Sequence, residues 1–332
     1  VVVKEIDLTG GVPNVQSTTG AIVGNFRWGP AEKRTLIANE TELVDRFAAP
    51  DSATTVDFHS ASYFLRYSSS LQVVRAIDAN ADNSVSTAAD SAGGGVTRSA
   101  VVVKNEEDFA AQQALLTDSN HTFIGRYPGS LGNNLQVQMC HADSAAFADW
   151  PFNTEFDARP GTSTYLANRN GTNDEVHAVV IDKNGKFTGT KNSVLERYSF
   201  LSLAKDAKAT DGTSIYVKDV INERSEFVHM AGFDSAVVAN VTKTGRVSLD
   251  SGDNFLSTGS GLFNRHFIFN FSGGTDCNAL GTNEFATGYD LFEDKDQVEI
   301  DFLIAPSMVS TTNQTTVVND LIATAQSLRK DC

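Results

Sequence analysis

The stretch Gly20-Ala21-Ile22-Val23-Gly24-Asn25-Phe26-Arg27-Trp28-Gly29-Pro30 decides how the chain is read. Its apolar opening, Ala21-Ile22-Val23, is the signature of a buried strand, and Gly29-Pro30 ends that strand in a fixed turn. Trp28, one of 2 tryptophans, places a large rigid anchor where the chain changes direction. The residues before this stretch have the character of an arm. Those after it have the character of a folded body.

Downstream, Thr35-Leu36-Ile37 is a second short strand, and Asn39 with Glu42 three residues on forms a capping box that opens a helix. Leu43, Val44 and Phe47 are its expected apolar face, with Pro50 beyond its end. A helix from about Thr55 to Tyr67 follows, with Val56, Ser60, Tyr63, Phe64 and Tyr67 at helical spacing. Leu71 to Asp78 is then a strong strand. Strand, two helices, strand is an α/β pattern in which the second strand can lie parallel to the first.

Upstream, Val1 to Leu8 is expected to be extended, with Val1, Val3 and Glu5 on one face and Val2, Lys4 and Ile6 on the other. Gly10-Gly11-Val12-Pro13 breaks it.

Beyond Asp78 the composition shifts. Ala79 to Ser99 is rich in Ala, Ser, Asp, Asn, Thr and Gly and reads as a linker or exposed crossing. Val101-Val102-Val103 resumes as a strand, and Asn105 caps a helix running to Leu116. The middle of the chain then reads as β. It has a strand at Thr122 to Tyr127, alternation at Leu135, Val137 and Met139, and an irregular stretch from Ala142 to Gly161. A hairpin from Val176 to Thr190 turns at Asn184-Gly185, with Lys186 to Thr190 as its second strand. A short helix near Ile215 to Glu223 and a strand at Glu226 to Met230 follow, and His266 to Phe271 places Phe267, Phe269 and Phe271 on one face. The α/β character returns with a helix near Asn283 to Phe292, a strand at Val298 to Ala305 and a long helix from about Thr311 to Arg329. That last helix has a stripe of Val317, Leu321, Ala325 and Leu328.

The expected fold class is therefore mixed α+β and α/β: a discontinuous α/β domain with an inserted β-rich second domain. Residues 1–88 and 272–332 form the core domain, 89–104 a low-complexity linker and 105–271 the insert. The chain stops just past a helix, where a parallel sheet normally continues, and it starts without Met; the natural protein is expected to be longer.

Composition narrows the function. The net charge of −15 supplies no basic footprint for nucleic acid and repels anionic lipid. No apolar run approaches the length of a membrane-crossing helix, and Val1-Val2-Val3 has no charged n-region or cleavage site of a signal peptide. Cys140, Cys277 and Cys332 are odd in number and far apart, unlike a disulfide framework or zinc site.

No catalytic or metal motif survives. Gly93-Gly94-Gly95 and Gly189 to Ser193 lack the phosphate-loop pattern, and Pro128 to Gly132 resembles a nucleophile elbow around Ser130 without the strand-to-helix setting. Asp78-Ala79-Asn80-Ala81-Asp82 has calcium-loop spacing, but Asn83 replaces the turn glycine and Ala89 the bidentate Glu. His59, His121, His141, His177, His229 and His266 form no pair at metal-ligand spacing. Glu293, Asp294, Asp296 and Glu299 fit a solvated acidic surface better than acid/base work. No cofactor is expected.

Several stretches together resemble a known family. Gly24 to Pro30, Glu42 to Phe47, Tyr63 to Tyr67 and Leu71 to Asp78 follow in the order and spacing of the tail sheath proteins of contractile-tailed bacteriophages, of the T-even-like and cyanophage type. Tyr127 to Asn133, Phe271 to Gly274, Val298 to Ala305 and Arg329-Lys330-Asp331-Cys332 are similar to that family too. The resemblance implies a structural, non-enzymatic virion protein. Its copies would stack as hexameric rings in a helix around the tail tube, with baseplate and tail terminator as further partners. Such a sheath is assembled in the host cytoplasm and contracts to drive the tube through the host envelope. In that family chain-terminal arms add strands to a neighbour's sheet, so Val1, Val2, Val3, Lys4, Glu5 and Ile6 are the candidate inter-subunit arm. The family's C-terminal part is missing after Cys332, and a chain ending there is expected to stay monomeric on its own.

Two readings stand beside this one. The first is the sheath of a phage-derived secretion or injection device. The second is an α/β hydrolase-like enzyme with its site in the loops after Asp78 and Ala305. A carbohydrate-binding middle segment would need Trp150, Phe152 and Tyr165 displayed together.

Overall fold

The computed structural model describes residues 18–86, 100–113, 116, 122–142, 144–232, 266–276 and 280–329. The opening stretch supplies strand β1 (Gly20–Gly24), every residue of which is buried. It pairs in parallel with β3 (Leu71–Arg75) on one side and with β11 (Phe302–Ile304) on the other. β2 (Thr35–Ile37) adds to β3 antiparallel, giving the order β11-β1-β3-β2.

Side chains alternate across this sheet, and both faces are covered. Ile22, Ile37, Leu71 and Val73 pack against Leu43 and Phe47 of α1 (Glu40–Phe47) and Phe58 and Ala61 of α2 (Thr55–Leu65). Ala21, Val23 and Val74 face the other way, onto Phe285 and Tyr289 of the helix Thr282–Asp290 and Val317 and Leu321 of the helix Thr311–Ser327. The predicted parallel pairing and α/β layering are both present.

Some sequence expectations change. Asn39 does cap α1, accepting from the Glu42 amide at 3.0 Å, but the Glu42 carboxylate reaches back to Ala38 N. Val44 is exposed, and the buried face of α1 is Leu43 and Phe47. Of the stripe expected on this helix, Phe64 packs against the core, but Val56 is 57% exposed, Tyr63 56% and Tyr67, past the end of α2, 93%. The inward face is Asp57, Phe58, Ala61 and Ser62, so two polar residues hid it from a hydrophobicity pattern. In the last helix Thr324, rather than Leu328, continues the stripe of Val317 and Leu321.

The second sheet has the order β8-β7-β6-β10-β4-β5-β9 and pairs antiparallel throughout. Its strands are β4 (Asn83–Ser86), β5 (Phe123–Pro128), β6 (Leu135–His141), β7 (Glu175–Asp182), β8 (Ser193–Ser202), β9 (Val228–Met230) and β10 (Phe267–Ser272). Phe267 and Phe269 on β10 lie opposite Met139 and Val137 on β6, so the predicted aromatic face is the centre of the larger core. That core extends to Val217, Val220 and Ile221 of the helix Val217–Arg224, and it includes Trp28.

β4 lies inside the stretch expected to be an exposed crossing, and all four of its residues are buried. Its polar side chains have work inside the protein. Asn83 donates to the carbonyls of Val103 and Gly125 and accepts from Val103 N. With Asn83 N also donating to Val101 O, these bonds take the place of a ladder, and 101–103 is not the expected strand. The hairpin after β7 differs as well. The Asp182 carboxylate accepts from the amides of Lys186, Phe187 and Thr188, which coils 186–190 around it, and the returning strand is β8. A carboxylate holding successive amides fixes a tight loop more firmly than a two-residue turn. The strand expected at Val298 to Ala305 shortens to β11.

Candidate functional site

The two sheets meet at Arg75, the last residue of β3, whose side chain is fully buried. Its Nε donates to Phe26 O at 2.7 Å and its Nη1 to Gly29 O at 3.0 Å. Its Nη2 donates to Pro128 O at 2.8 Å and approaches Arg27 O at 3.4 Å. A guanidinium presents its donors in a fixed planar fork, so carbonyls from the 26–29 loop and from the end of β5 are set relative to one another.

Around this hub the chain packs backbone on backbone. Gly129 has φ +135°, a conformation side chains rarely adopt, and its amide donates to Asp82 O. A Cβ on Gly274 would lie 2.4 Å from Gly129 O. Asn133 and Gly274 exchange two hydrogen bonds of 2.8 Å each, and Ser130 N donates to Asp276. Trp28 meets Tyr127 edge-on at 5.4 Å and Phe187 at 5.3 Å. The stretches Gly24 to Pro30, Leu71 to Asp78, Tyr127 to Asn133 and Phe271 to Gly274 thus converge in space, although nearly 250 residues separate the first from the last.

A second feature lies at the rim of the smaller sheet. β11 is an edge strand of the sheet among the described residues, and Phe302 on it is 55% exposed. Phe302 pairs with Gly20, and a Cβ on Gly20 would lie 2.5 Å from the ring of Phe64. On the inner side of this strand Ile304 packs with Phe64 of α2. Thr19 is held here too, its amide donating to Asp301 and its carbonyl accepting from the amides of Asp301 and Phe302. The candidate arm, Val1 to Ile6, lies outside the described residues.

The chemical candidates separate rather than converge. Ser130 Oγ bonds Asp276, and among the described residues no histidine bonds it. Asp78 accepts from Asn80 N, Asp82 is engaged with Thr275, and no metal-holding cluster occurs among the described residues. His177 is buried and stacks on Phe156 at 4.2 Å; its Nδ1 accepts from Phe200 N, its Nε2 lies 2.8 Å from Ala158 O, and burial pushes its pKa down. His229 is buried against Phe109, ring centroids 3.8 Å apart, and desolvation lowers its pKa to about 3. His121 lies outside the described residues, as do Cys277 and Cys332, while Cys140 is buried.

A crevice does open at the carboxyl ends of β1 and β11, lined by Asn25, Asp57, Phe285, Ser307, Met308 and Asn313. Asp57 accepts from Asn25 N at 2.7 Å, and burial raises its pKa. Among the described residues no histidine lines this crevice, and Ser310 at its rim caps the last helix. Trp150 is buried, stacked on Phe156 and bonded through Nε1 to Gln138, while Tyr165 carries the Arg169 guanidinium on its ring face. They do not form a displayed sugar platform. The burial of Arg75 was missed in the sequence because a charged side chain in an apolar strand reads as a surface residue.

No family model matches the chain. A tail sheath protein of Salmonella phage ViI is 33% identical over 202 residues, covering 60% of this chain and 28% of that protein. The tail sheath protein of Enterobacteria phage T4 is 41% identical over 75 residues, covering 23% of this chain and 11% of that one. The chain is similar to phage tail sheath proteins over these stretches. Tail sheath proteins are structural and non-enzymatic. The chain spans less than a third of the length of the curated proteins it matches. A sheath tail protein of Listeria innocua superposes with a TM-score of 0.45 at 11% identity, covering 94% of this chain and 45% of that one.

Proposed function

We propose that this chain is part of a subunit of a contractile tail sheath. Copies polymerise helically around a tail tube, and the sheath's contraction drives the tube through the host envelope. The observation that carries the reading is the 202-residue likeness to the tail sheath protein of phage ViI. The partners are other copies in hexameric rings, the tube, the baseplate and the tail terminator; the place is the virion tail, after assembly in host cytoplasm.

The rim of the smaller sheet supports this reading. An edge strand presents unpaired backbone groups that a further strand can pair with. In the proposed assembly the Val1 to Ile6 arm of a neighbouring subunit adds beside β11, a β-augmentation, next to exposed Phe302. A head-to-tail contact of this kind builds a helix of subunits when its rotation does not close into a ring. On this reading the core domain, 1–88 and 272–332, is built around the smaller sheet and the insert, 105–271, around the larger one, which β4 of the first segment also joins.

Negative-stain electron microscopy of a full-length protein carrying this chain tests the reading. Hollow striated tubes are expected. A persistent monomer at high concentration would count against it.

A further inference from the structure

Resting on the tail-sheath reading, we infer that the outer face of α2 is a contact between copies of this chain, and that it receives the acidic turn 290–299 of a second copy. Val56, His59 and Tyr63 of α2, with Arg66 and Tyr67 just past its end, all face solvent. The Arg66 guanidinium lies over the Tyr63 ring, 4.8 Å from its centroid, and the His59 ring centroid is 6.2 Å from that of Tyr63. Stacking of this kind holds the group in place, so less side-chain freedom is lost when a partner arrives. Tyr and Arg are also the residue types that carry most of the binding energy in protein interfaces. Among the described residues neither the phenol hydroxyls of Tyr63 and Tyr67 nor the Arg66 guanidinium has a hydrogen-bond or ion-pair partner.

Unused donors of this kind fit an acceptor-rich partner, and the chain itself carries one. The turn 290–299 has five carboxylates, Asp290, Glu293, Asp294, Asp296 and Glu299, against the single base Lys295. Four of them are exposed, and Glu293 is partly buried. Burial raises the pKa of Glu293, and the charges of Asp290 and of Asp320 on the last helix add to the rise, so carboxylates from the turn and the helix crowd one surface. Ile322, two positions after Asp320, is turned nearly to the opposite side of that helix.

The two surfaces do not meet within one chain. α2 covers one face of the smaller sheet. The helices Thr282–Asp290 and Thr311–Ser327 cover the other, with Phe292 and Ile300 of the acidic turn packed among them. Contact between the surfaces is therefore between copies and head to tail, each copy offering α2 on one side and its acidic turn on the other. Charge makes that contact selective. Copies with a net charge of −15 repel one another. An outward face with no acidic residue and with an arginine that lacks a carboxylate partner is where a neighbour's carboxylates can approach. The described chain begins beside Tyr67, where Ser68 Oγ donates to Thr18 O, so the chain's own residues 1–17 are the competing occupant.

The test uses a full-length protein carrying this chain, with p-benzoylphenylalanine in place of Tyr67, assembled into tubes from a mixture of isotope-labelled and unlabelled copies. Irradiation is expected to join residue 67 of one copy to a peptide within 290–299 of another, read by mass spectrometry as a product of one labelled and one unlabelled copy. A crosslink to residues 1–17 or to any other peptide overturns the inference, as does the absence of a crosslink in well-formed tubes. Should the substituted protein form no tubes where the parent does, Arg66→Glu decides. It is expected to raise the protein concentration at which tubes appear by about tenfold or more, with the thermal midpoint of the monomer unchanged. Adding Asp294→Lys and Asp296→Lys to the same chain is expected to bring that concentration back down. An unchanged concentration in Arg66→Glu, or no recovery in the combined variant, overturns the inference. A parent that forms no tubes overturns the tail-sheath reading and this contact with it, whereas tubes with the crosslink elsewhere overturn the contact alone.

Discussion

The guanidinium of Arg75 on β3 donates to the carbonyl of Pro128 at the end of β5, 2.8 Å away, in a bond that runs from one sheet to the other with both groups buried. The same side chain satisfies Phe26 O and Gly29 O. Arg75→Met would fill similar space but orphan these carbonyls. Hydrogen bonds to charged groups contribute about 1.5–3 kcal/mol each and are not additive within one network. The expected loss is on the order of 3–5 kcal/mol, at the upper end for a single substitution. Urea denaturation checks it, read as a fall in midpoint. A loss below about 1 kcal/mol would mean that water replaces the guanidinium at these carbonyls.

His229 supplies a pH-dependent term. It lies flat on Phe109, and among the described residues neither ring nitrogen has a hydrogen-bond partner. Desolvation lowers its pKa to about 3, with the nearby Arg126 charge adding to the shift. The folded state therefore binds a proton less readily than the unfolded state, whose histidine titrates near 6.5. Stability from this group is full above about pH 6.5 and falls as pH drops toward 3, by up to about 1.4 kcal/mol per pH unit. His229→Phe keeps a stacked ring and removes the titration. Its stability relative to the parent is expected to rise steadily between pH 6.5 and 4.5 in parallel denaturation curves. A pH-independent difference would refute the assignment.

The helix cap at Asn39 offers a local test. Its side chain accepts from Glu42 N at 3.0 Å, and the first turn carries Glu40 and Glu42 at the positive end of the helix dipole. Asn39→Ala is expected to cost about 1 kcal/mol, and Asn39→Asp to cost little. Thermal unfolding of the two variants side by side separates loss of the acceptor from general disturbance of the loop.

The legible parts of the fold were those where burial and hydrophobicity coincide. Ala21-Ile22-Val23 and Leu71 to Arg75 announce strands buried on both faces, and Phe267, Phe269 and Phe271 announce a one-sided strand. Where polar residues carry the structure, pattern fails. β4 is Asn-Ser-Val-Ser, buried because Asn83 bonds three segments, and it looked like linker. β8 lies at an edge, and its Ser193, Glu196 and Arg197 gave it no alternation to detect. α2 was found with only part of its buried face: Phe64 packs inward as expected, but Tyr63 is exposed while Asp57 and Ser62 face inward. The stretches that carry the family resemblance could be quoted from the sequence. Their convergence on Arg75 could not, because it depends on contacts between residues far apart in the chain.

Gly129 tests the junction through backbone strain. With φ +135° and a would-be Cβ only 3.1 Å from Arg27 O, alanine there meets both an unfavourable conformation and a carbonyl that Arg75 holds in place. Strain of this kind costs about 1–3 kcal/mol. Gly129→Ala is expected to destabilise by that amount, whereas Gly212→Ala, also at positive φ but with open space at its Cβ, carries only the backbone term. Equal losses in the two variants would show that the close approach at Gly129 contributes nothing.

The edge at β11 separates stability from assembly. Phe302 is more than half exposed and lies on an edge strand, so Phe302→Lys removes little packing from the folded chain and should change its stability by no more than about 0.5 kcal/mol. Lysine on an edge strand also discourages a further strand from pairing there, the device by which natural sheets avoid unwanted partners. In a full-length protein carrying this chain, Phe302→Lys is thus expected to suppress tube formation in negative-stain images while leaving the thermal midpoint of the monomer unchanged. The control is Ile322→Lys, which places the same charge on an exposed residue of the last helix, off any strand edge, and is expected to leave the tubes intact. Tubes that form equally well with Phe302→Lys would show that the arm is not received at β11. A lowered midpoint would show instead that Phe302 packs against this chain's own core.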